Sequence, residues 1–204
     1  MTQPRAVIFD VGQVLYQWDP RFLYERLIED DRALDAFLDT VVTRDWHFQH
    51  DEGRPFAETS AELIAQFPEH EALIAAWQPR FNETIPAAIP GMVEIVEELD
   101  AAGVPLFGIT NFSGEFWPPF KAREHAVFGR FRDIVVSGDE KIFKPDPAIY
   151  ALALKRFGLA PGEAVFVDDN AANVDAARDA GIHAVLFTDA AAFRAELVEF
   201  GLLD

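Results

Sequence analysis

The sequence predicts an α/β protein, a doubly wound parallel sheet with a small helical insertion after the first strand. Three observations carry that reading. Short apolar runs alternate with helical stretches from Pro90 to the C-terminus. Several of those runs stop abruptly at polar residues, as parallel strands do where they deliver side chains to one edge of a sheet. Between Pro20 and Ile85, by contrast, nothing has the texture of a strand.

Taken in order, Ala6-Val7-Ile8-Phe9 is a short buried strand that ends at Asp10, with Gly12 allowing a sharp turn beyond it. Asp19-Pro20 starts a helical stretch with Phe22, Leu23, Leu27 and Ile28 at helical spacing, continued by Leu34, Phe37, Leu38 and Val41. Arg44 to Pro55 reads as a polar and aromatic connection, followed by helices over Phe56 to Gln66 and Glu69 to Phe81. Met92 to Ala102 is a helix opened by Pro90-Gly91 and closed by Gly103. The strand Pro105 to Ile109 runs into Thr110-Asn111, and a helix over Phe116 to His125 follows. Ile134 to Val136 is a strand ending at Ser137, and Asp146 to Phe157 a helix entered through Lys144-Pro145. Ala164 to Val167 is a strand ending in Asp168-Asp169, and Ala171 to Ala180 a helix closed by Gly181. His183 to Phe187 and Ala190 to Phe200 complete the series. The division that follows is a core of residues 1–17 and 86–204, with 18–85 as a helical cap.

Composition narrows the chemistry. The 204 residues include no cysteine, which removes disulfides, thiolate catalysis and Cys-based zinc sites. A net charge of −18 argues against nucleic acid and against an anionic membrane surface, both of which are held by clustered cations. A small phosphorylated molecule remains compatible, since one or two local cations hold it. No apolar run approaches the length of a membrane span, and Met1 to Arg5 has no signal-peptide character, so the expected location is cytoplasmic.

Parallel strands bring Asp10, Thr110-Asn111, Ser137 with Lys144, and Asp168-Asp169 to one edge. Three carboxylates gathered there need a cation, and hard oxygen donors suit Mg²⁺. In these residues the chain resembles the haloacid dehalogenase superfamily of aspartate-nucleophile hydrolases. Phe9-Asp10-Val11-Gly12, Thr110, Lys144 in Lys144-Pro145-Asp146-Pro147, and Asp168-Asp169 match its four motifs in order. The resemblance implies a Rossmann-like core. It implies Asp10 as nucleophile, Thr110 as a hydroxyl on the phosphate and Lys144 as the neutralising cation. It also implies a Mg²⁺ site from Asp10, the carbonyl of Gly12, Asp169 and Asp168, the last either on the ion or behind it. Asn111 stands next to the second motif as a substrate contact, and Asn173 lies one helical turn past the fourth. The cap is implied to choose the substrate, with Trp46 and His47 as contacts and His50 and Asp51 beside them. Phe112, Phe116 and Trp117 are divided between cleft and core, and Ser137 reads as a turn residue.

One position departs from the pattern. Most phosphatases of this superfamily carry a second Asp two residues after the nucleophile as general acid and base, and here that residue is Gly12. Either a cap residue such as His47, His50 or Asp51 supplies the proton, or the leaving group departs without one, as an acyl or anomeric phosphate does; the sequence reading prefers the second. The expected function is a Mg²⁺-dependent phosphatase of a small phosphorylated metabolite, a sugar phosphate among the candidates, acting as monomer or homodimer. The alternatives are a 2-haloacid dehalogenase using the same Asp, which also lacks the second Asp and carries an Asn after the second motif, and a non-catalytic binding protein on the same fold.

Overall fold

A computed structural model describes residues 3–204. Five parallel strands, β1 (Ala6–Phe9), β2 (Leu106–Thr110), β3 (Asp133–Val136), β4 (Ala164–Asp168) and β5 (His183–Leu186), lie in the order β3-β2-β1-β4-β5. The most apolar strand, β1, is therefore central, and its side chains alternate between two cores as the pleat requires. Val7 and Phe9 face one hydrophobic cluster with Val165 and Val167 of β4, while Ala6 and Ile8 face the other with Ala164 and Phe166. Ile8 pairs with Phe107 and Phe166, and Phe9 with Gly108 and Val167. The Asp10 amide extends the ladder by donating to the Val167 carbonyl at 2.9 Å. That register is what brings the ends of β1 and β4 level.

The helices are α1 (Arg21–Tyr24), α2 (Asp31–Thr40), α3 (Arg44–Asp51), α4 (Phe56–Gln66), α5 (Glu71–Ala75) and α6 (Trp77–Arg80) in the insertion. After it come α7 (Met92–Ala101), α8 (Trp117–Arg123), α9 (His125–Phe128), α10 (Ser137–Glu140), α11 (Pro147–Phe157), α12 (Ala171–Asp179) and α13 (Ala190–Glu199). The entering and leaving chains of the insertion run side by side, with Tyr16 bridged to Ala88 and the Asp19 amide donating to the Thr84 carbonyl at 2.9 Å. Its apolar residues, Tyr24, Phe37 and Trp77 among them, belong to the same cluster as the near face of the sheet. Among the described residues no helix is long and apolar enough to cross a membrane.

Two expectations for the insertion need correction. The helix expected over Glu69 to Phe81 is interrupted: it comprises α5, α6 and a 3-10 turn at Phe81–Thr84. Pro79 has no N–H to continue the ladder, so the chain restarts at Ala76. The connection expected over Arg44 to Pro55 is largely a helix, α3. Thr43 caps it by accepting from the Trp46 amide at 3.1 Å, and Asp45 sits in the first turn, where a negative charge is favourable. Trp46, His47, His50 and Asp51 all fall on its buried face.

Candidate active site

At the carboxyl edge of the sheet, Lys144 is the organising group. It is 3% exposed, and its Nζ reaches Asp10 Oδ1 at 2.8 Å and Asp168 Oδ2 at 2.6 Å. Burial alone would lower its pKa; the two carboxylates more than offset that and raise it, so the ammonium is fixed as a cation. Its backbone is clasped by Asn111, whose Oδ1 accepts from the Lys144 amide at 2.8 Å while Nδ2 donates to the Lys144 carbonyl at 3.0 Å. Asn111, expected as a substrate contact, thus holds the lysine segment against the end of β2, although it also borders the cavity described below.

Asp10 lies just past β1 with Oδ1 occupied by Lys144 and by the Val11 amide at 2.7 Å. Among the described residues nothing donates to Oδ2. Burial pushes the Asp10 carboxyl up to about 7, with Lys144 pulling against it and the charge of Asp168 pushing with it. Asp168 is fully buried and has both oxygens engaged. Oδ1 accepts from the Asn170 amide at 2.8 Å and from Asn173 Nδ2 at 3.0 Å; Oδ2 accepts from Lys144 and from the same Asn173 amide at 3.1 Å. Asn173 therefore braces the acidic loop. Asp169 is exposed at the rim, its carboxyl raised by partial burial and by the charge of Asp168. One oxygen each from Asp10, Asp168 and Asp169 lie within 4.8 Å of one another. Thr110 is buried at the end of β2, its hydroxyl without a partner among the described residues.

Asp10, Lys144, Asn111, Asp169 and Asn173 border a cavity of about 260 Å³ that the insertion covers, whereas Thr110 and Asp168 do not border it. Trp18, Phe48, Phe81 and Phe112 supply aromatic walls, and Gln17 and Arg44 polar ones. From α3 it receives His47 and Asp51. His47 is stacked between Trp18, at 4.8 Å between ring centroids, and Phe81, at 5.8 Å. Burial, then the neighbouring His50, lowers its pKa to about 3, so the imidazole is neutral. Its Nε2 lies 3.5 Å from Asp51 Oδ2. His50 faces away from the cavity and meets Thr59 Oγ1 at 2.7 Å. Burial lowers it too, to about 4.

Trp46, expected as a substrate contact, is instead part of the packing within the insertion. It is buried against Trp77 and Phe56, its Nε1 donates to the Thr59 carbonyl at 3.2 Å, and it does not border the cavity. Phe116 and Trp117 are core, whereas Phe112 serves both core and cavity.

Ser137, expected as a turn residue, joins core to insertion. Its hydroxyl donates to the Asp51 carbonyl at 2.6 Å and accepts from the Phe112 amide at 3.0 Å. Next to it Gly53 has φ +90, and a Cβ there would lie 2.7 Å from the Gly138 carbonyl oxygen, so only glycine permits the two backbones to meet. The sequence signal for this joint was a serine at a strand end and a glycine after α3, both ordinary turn features.

The family model described as haloacid dehalogenase-like hydrolase matches residues 4–181. The chain is 30% identical over 198 residues to a sesquiterpene phosphatase of Aspergillus oryzae, an alignment covering 95% of this chain and 94% of that protein. It is 28% identical over 207 residues to acyl-CoA dehydrogenase family member 10 of Mus musculus, spanning 89% of this chain but 18% of that protein. Among solved structures, a haloacid dehalogenase family enzyme from Bacteroides thetaiotaomicron in a magnesium complex matches with a TM-score of 0.70 at 16% identity, covering 92% of this chain and 95% of that one. A dehalogenase with an intermediate complex matches with a TM-score of 0.68 at 20% identity, covering 92% and 86%. At such identities the structural likeness speaks for the fold alone.

Proposed function

The chain belongs to the haloacid dehalogenase-like hydrolases, and from that premise we propose that it is a phosphatase in which Asp10 attacks the phosphorus of a small phosphate monoester. The observation that carries this reading is the arrangement around Asp10: one oxygen is held by Lys144 and the Val11 amide, the other has no donor among the described residues, and the group borders a cavity. Held by one oxygen, the carboxylate keeps a fixed direction of attack. Lys144 offsets charge on the transferred phosphoryl group, and the Thr110 hydroxyl is a donor for one of its oxygens. An aspartyl phosphate forms, and water then attacks its phosphorus to release phosphate and regenerate Asp10.

Three carboxylate oxygens within 4.8 Å form a hard donor set that fits Mg²⁺. Asp168 already accepts hydrogen bonds at both oxygens, so Asp10 and Asp169, with the Gly12 carbonyl, are the groups that would hold the ion, and Asp168 fixes Lys144 instead. An ion bound there would supply positive charge to offset the negative charge on a phosphoryl group.

For the substrate, the aromatic walls favour an alcohol with an apolar or flat body over a densely hydroxylated one. The similarity to a sesquiterpene phosphatase points the same way. Gly12 and Asn111 favour a dehalogenase, but Asn111 is occupied with the Lys144 backbone, and Asp169 beside Asp10 suits a cation that halide displacement does not need.

The test is a screen of terpenoid, sugar and simple alkyl phosphates together with 2-haloacids, with Mg²⁺ and with a chelator. Phosphate release that stops in chelator and returns with Mg²⁺ is expected. Halide release that persists in chelator would establish the dehalogenase, and saturable binding without turnover a binding protein.

A further inference from the structure

Gly12 leaves the nucleophile without the neighbouring acid that would protonate an alkoxide, and the cap carries a group placed to do so. Resting on the phosphatase reading, we infer that Asp51 is the general acid and base of this site, acting from α3 across the cavity.

Four observations lead there. Asp51 is 5% exposed and borders the same cavity as Asp10 and Lys144. Its Oδ1 is buried without a partner among the described residues, which is costly unless a ligand completes it. Among the described residues no cation contacts it. The Ser113 backbone favours the charged form, but His47, 3.5 Å away, is neutral between its aromatic neighbours, and Asp10 and Glu52 add negative charge. Burial first, and those two anions after it, raise the Asp51 carboxyl well above its ordinary range, so it is held protonated. Finally, its own backbone is tied to the core through Ser137 Oγ at 2.6 Å and the Gly53–Gly138 contact. A group on a cap helix is thus held at fixed reach from a nucleophile on the sheet.

The other cap candidates fit less well. His50 turns away from the cavity toward Thr59, and a neutral imidazole lowered to about 3, as in His47, has no proton to give at neutral pH.

The proton balance is complete. As the Asp10 oxygen bonds to phosphorus and the phosphorus–oxygen bond to the leaving group breaks, the Asp51 proton passes to that oxygen, giving the free alcohol and the Asp51 carboxylate. That carboxylate then takes a proton from the water attacking the aspartyl phosphate. Phosphate leaves, Asp10 returns as carboxylate, and Asp51 is protonated again.

The experiment compares Asp51→Asn with the wild type, both with Mg²⁺, on hexyl phosphate and 4-nitrophenyl phosphate. Asparagine keeps the shape but has no acidic proton. Turnover of hexyl phosphate should fall about 10²–10⁴-fold. With 4-nitrophenyl phosphate the first turnover should keep its rate, because that leaving group departs unprotonated. Nitrophenol should appear as a burst equal to the enzyme present, since the second step has lost its base. Asp51→Glu should restore part of the hexyl phosphate activity. So should Gly12→Asp placed in the Asp51→Asn chain; a Cβ at position 12 meets nothing within 4 Å, so the second substitution has room. Equal losses on the two esters, or no loss on either, would overturn the assignment of Asp51 alone. A wild-type chain that cleaves neither ester would overturn the phosphatase reading and this inference with it.

Discussion

Asp10 and Asp51 are carboxylates buried beside one cavity, and the two regions that bury them treat them in opposite ways. The sheet edge gives Asp10 a lysine at 2.8 Å and a backbone amide at 2.7 Å, and spends a second buried carboxylate, Asp168, on fixing that lysine. The cap helix gives Asp51 a neutral histidine and, among the described residues, no cation. Burial raises both carboxyls, but only at the core does a bound positive charge pull back. Separate environments for two acids in one site divide the labour between a nucleophile and a proton carrier.

The comparison breaks first at Lys144. Lys144→Met keeps the volume and removes the cation, leaving Asp10 and Asp168 buried together without a counter-charge. Loss of one partner from a buried pair costs about 3–5 kcal/mol, read as a lower midpoint in urea, and turnover should vanish with it. A variant as stable as the wild type would mean that the carboxylates are not charged in the folded chain.

A second test is the response of the cap to acid. His47 and His50 titrate at about 3 and about 4 in the folded chain, against an ordinary value of 6.5. Below 6.5 the unfolded chain therefore binds protons that the native chain refuses, so stability falls as pH drops from there toward 4. Asp10, raised to about 7, and Asp51, also raised, take up protons in the folded chain over the same range and work in the other direction, so the net change is well below what two histidines alone would give. The expected slope is at most about 2.7 kcal/mol per pH unit, two protons' worth. The imidazole resonances of both histidines should stay at their neutral positions down to about pH 5; protonation near 6.5 would refute the dry environment assigned to α3.

The smallest effect has the opposite sign to that at Lys144. Asp51→Asn removes an uncompensated acid from a buried site, so it should stabilise the fold by about 1 kcal/mol while activity on alkyl phosphates falls. A loss of stability would show that the carboxyl was holding the cap in place.

The two regions also differ in how well they could be read from the sequence. At the sheet edge each functional residue follows a short apolar strand, so Asp10, Thr110, Lys144 and Asp168-Asp169 were visible together, and so were the helices that begin after them. The division between Asp168 and Asp169 was not, because it depends on whether Asn173 and Lys144 reach the first carboxylate. On α3 the buried face consists of Trp46, His47, His50 and Asp51, which form no apolar stripe, so the segment read as a connection. The Thr43 cap and the i, i+4 spacing of His47 and Asp51 were the available signals. Asn111 and Ser137 carry no mark in the sequence of what they bind, since both act on backbone groups more than thirty and eighty residues away respectively.

Every role assigned at the sheet edge requires that Asp10 becomes phosphorylated. The direct measurement is to mix the wild-type chain and Mg²⁺ with 4-nitrophenyl phosphate, quench in acid within the first turnovers, and locate any added phosphoryl group by peptide mass, with Asp10→Asn treated alongside. A phosphoryl group on Asp10 in the wild type is expected, with none on the variant and a loss of turnover in the variant of roughly 10³-fold or more. Phosphate release at the wild-type rate from Asp10→Asn, or a phosphoryl group on any other residue, would contradict it.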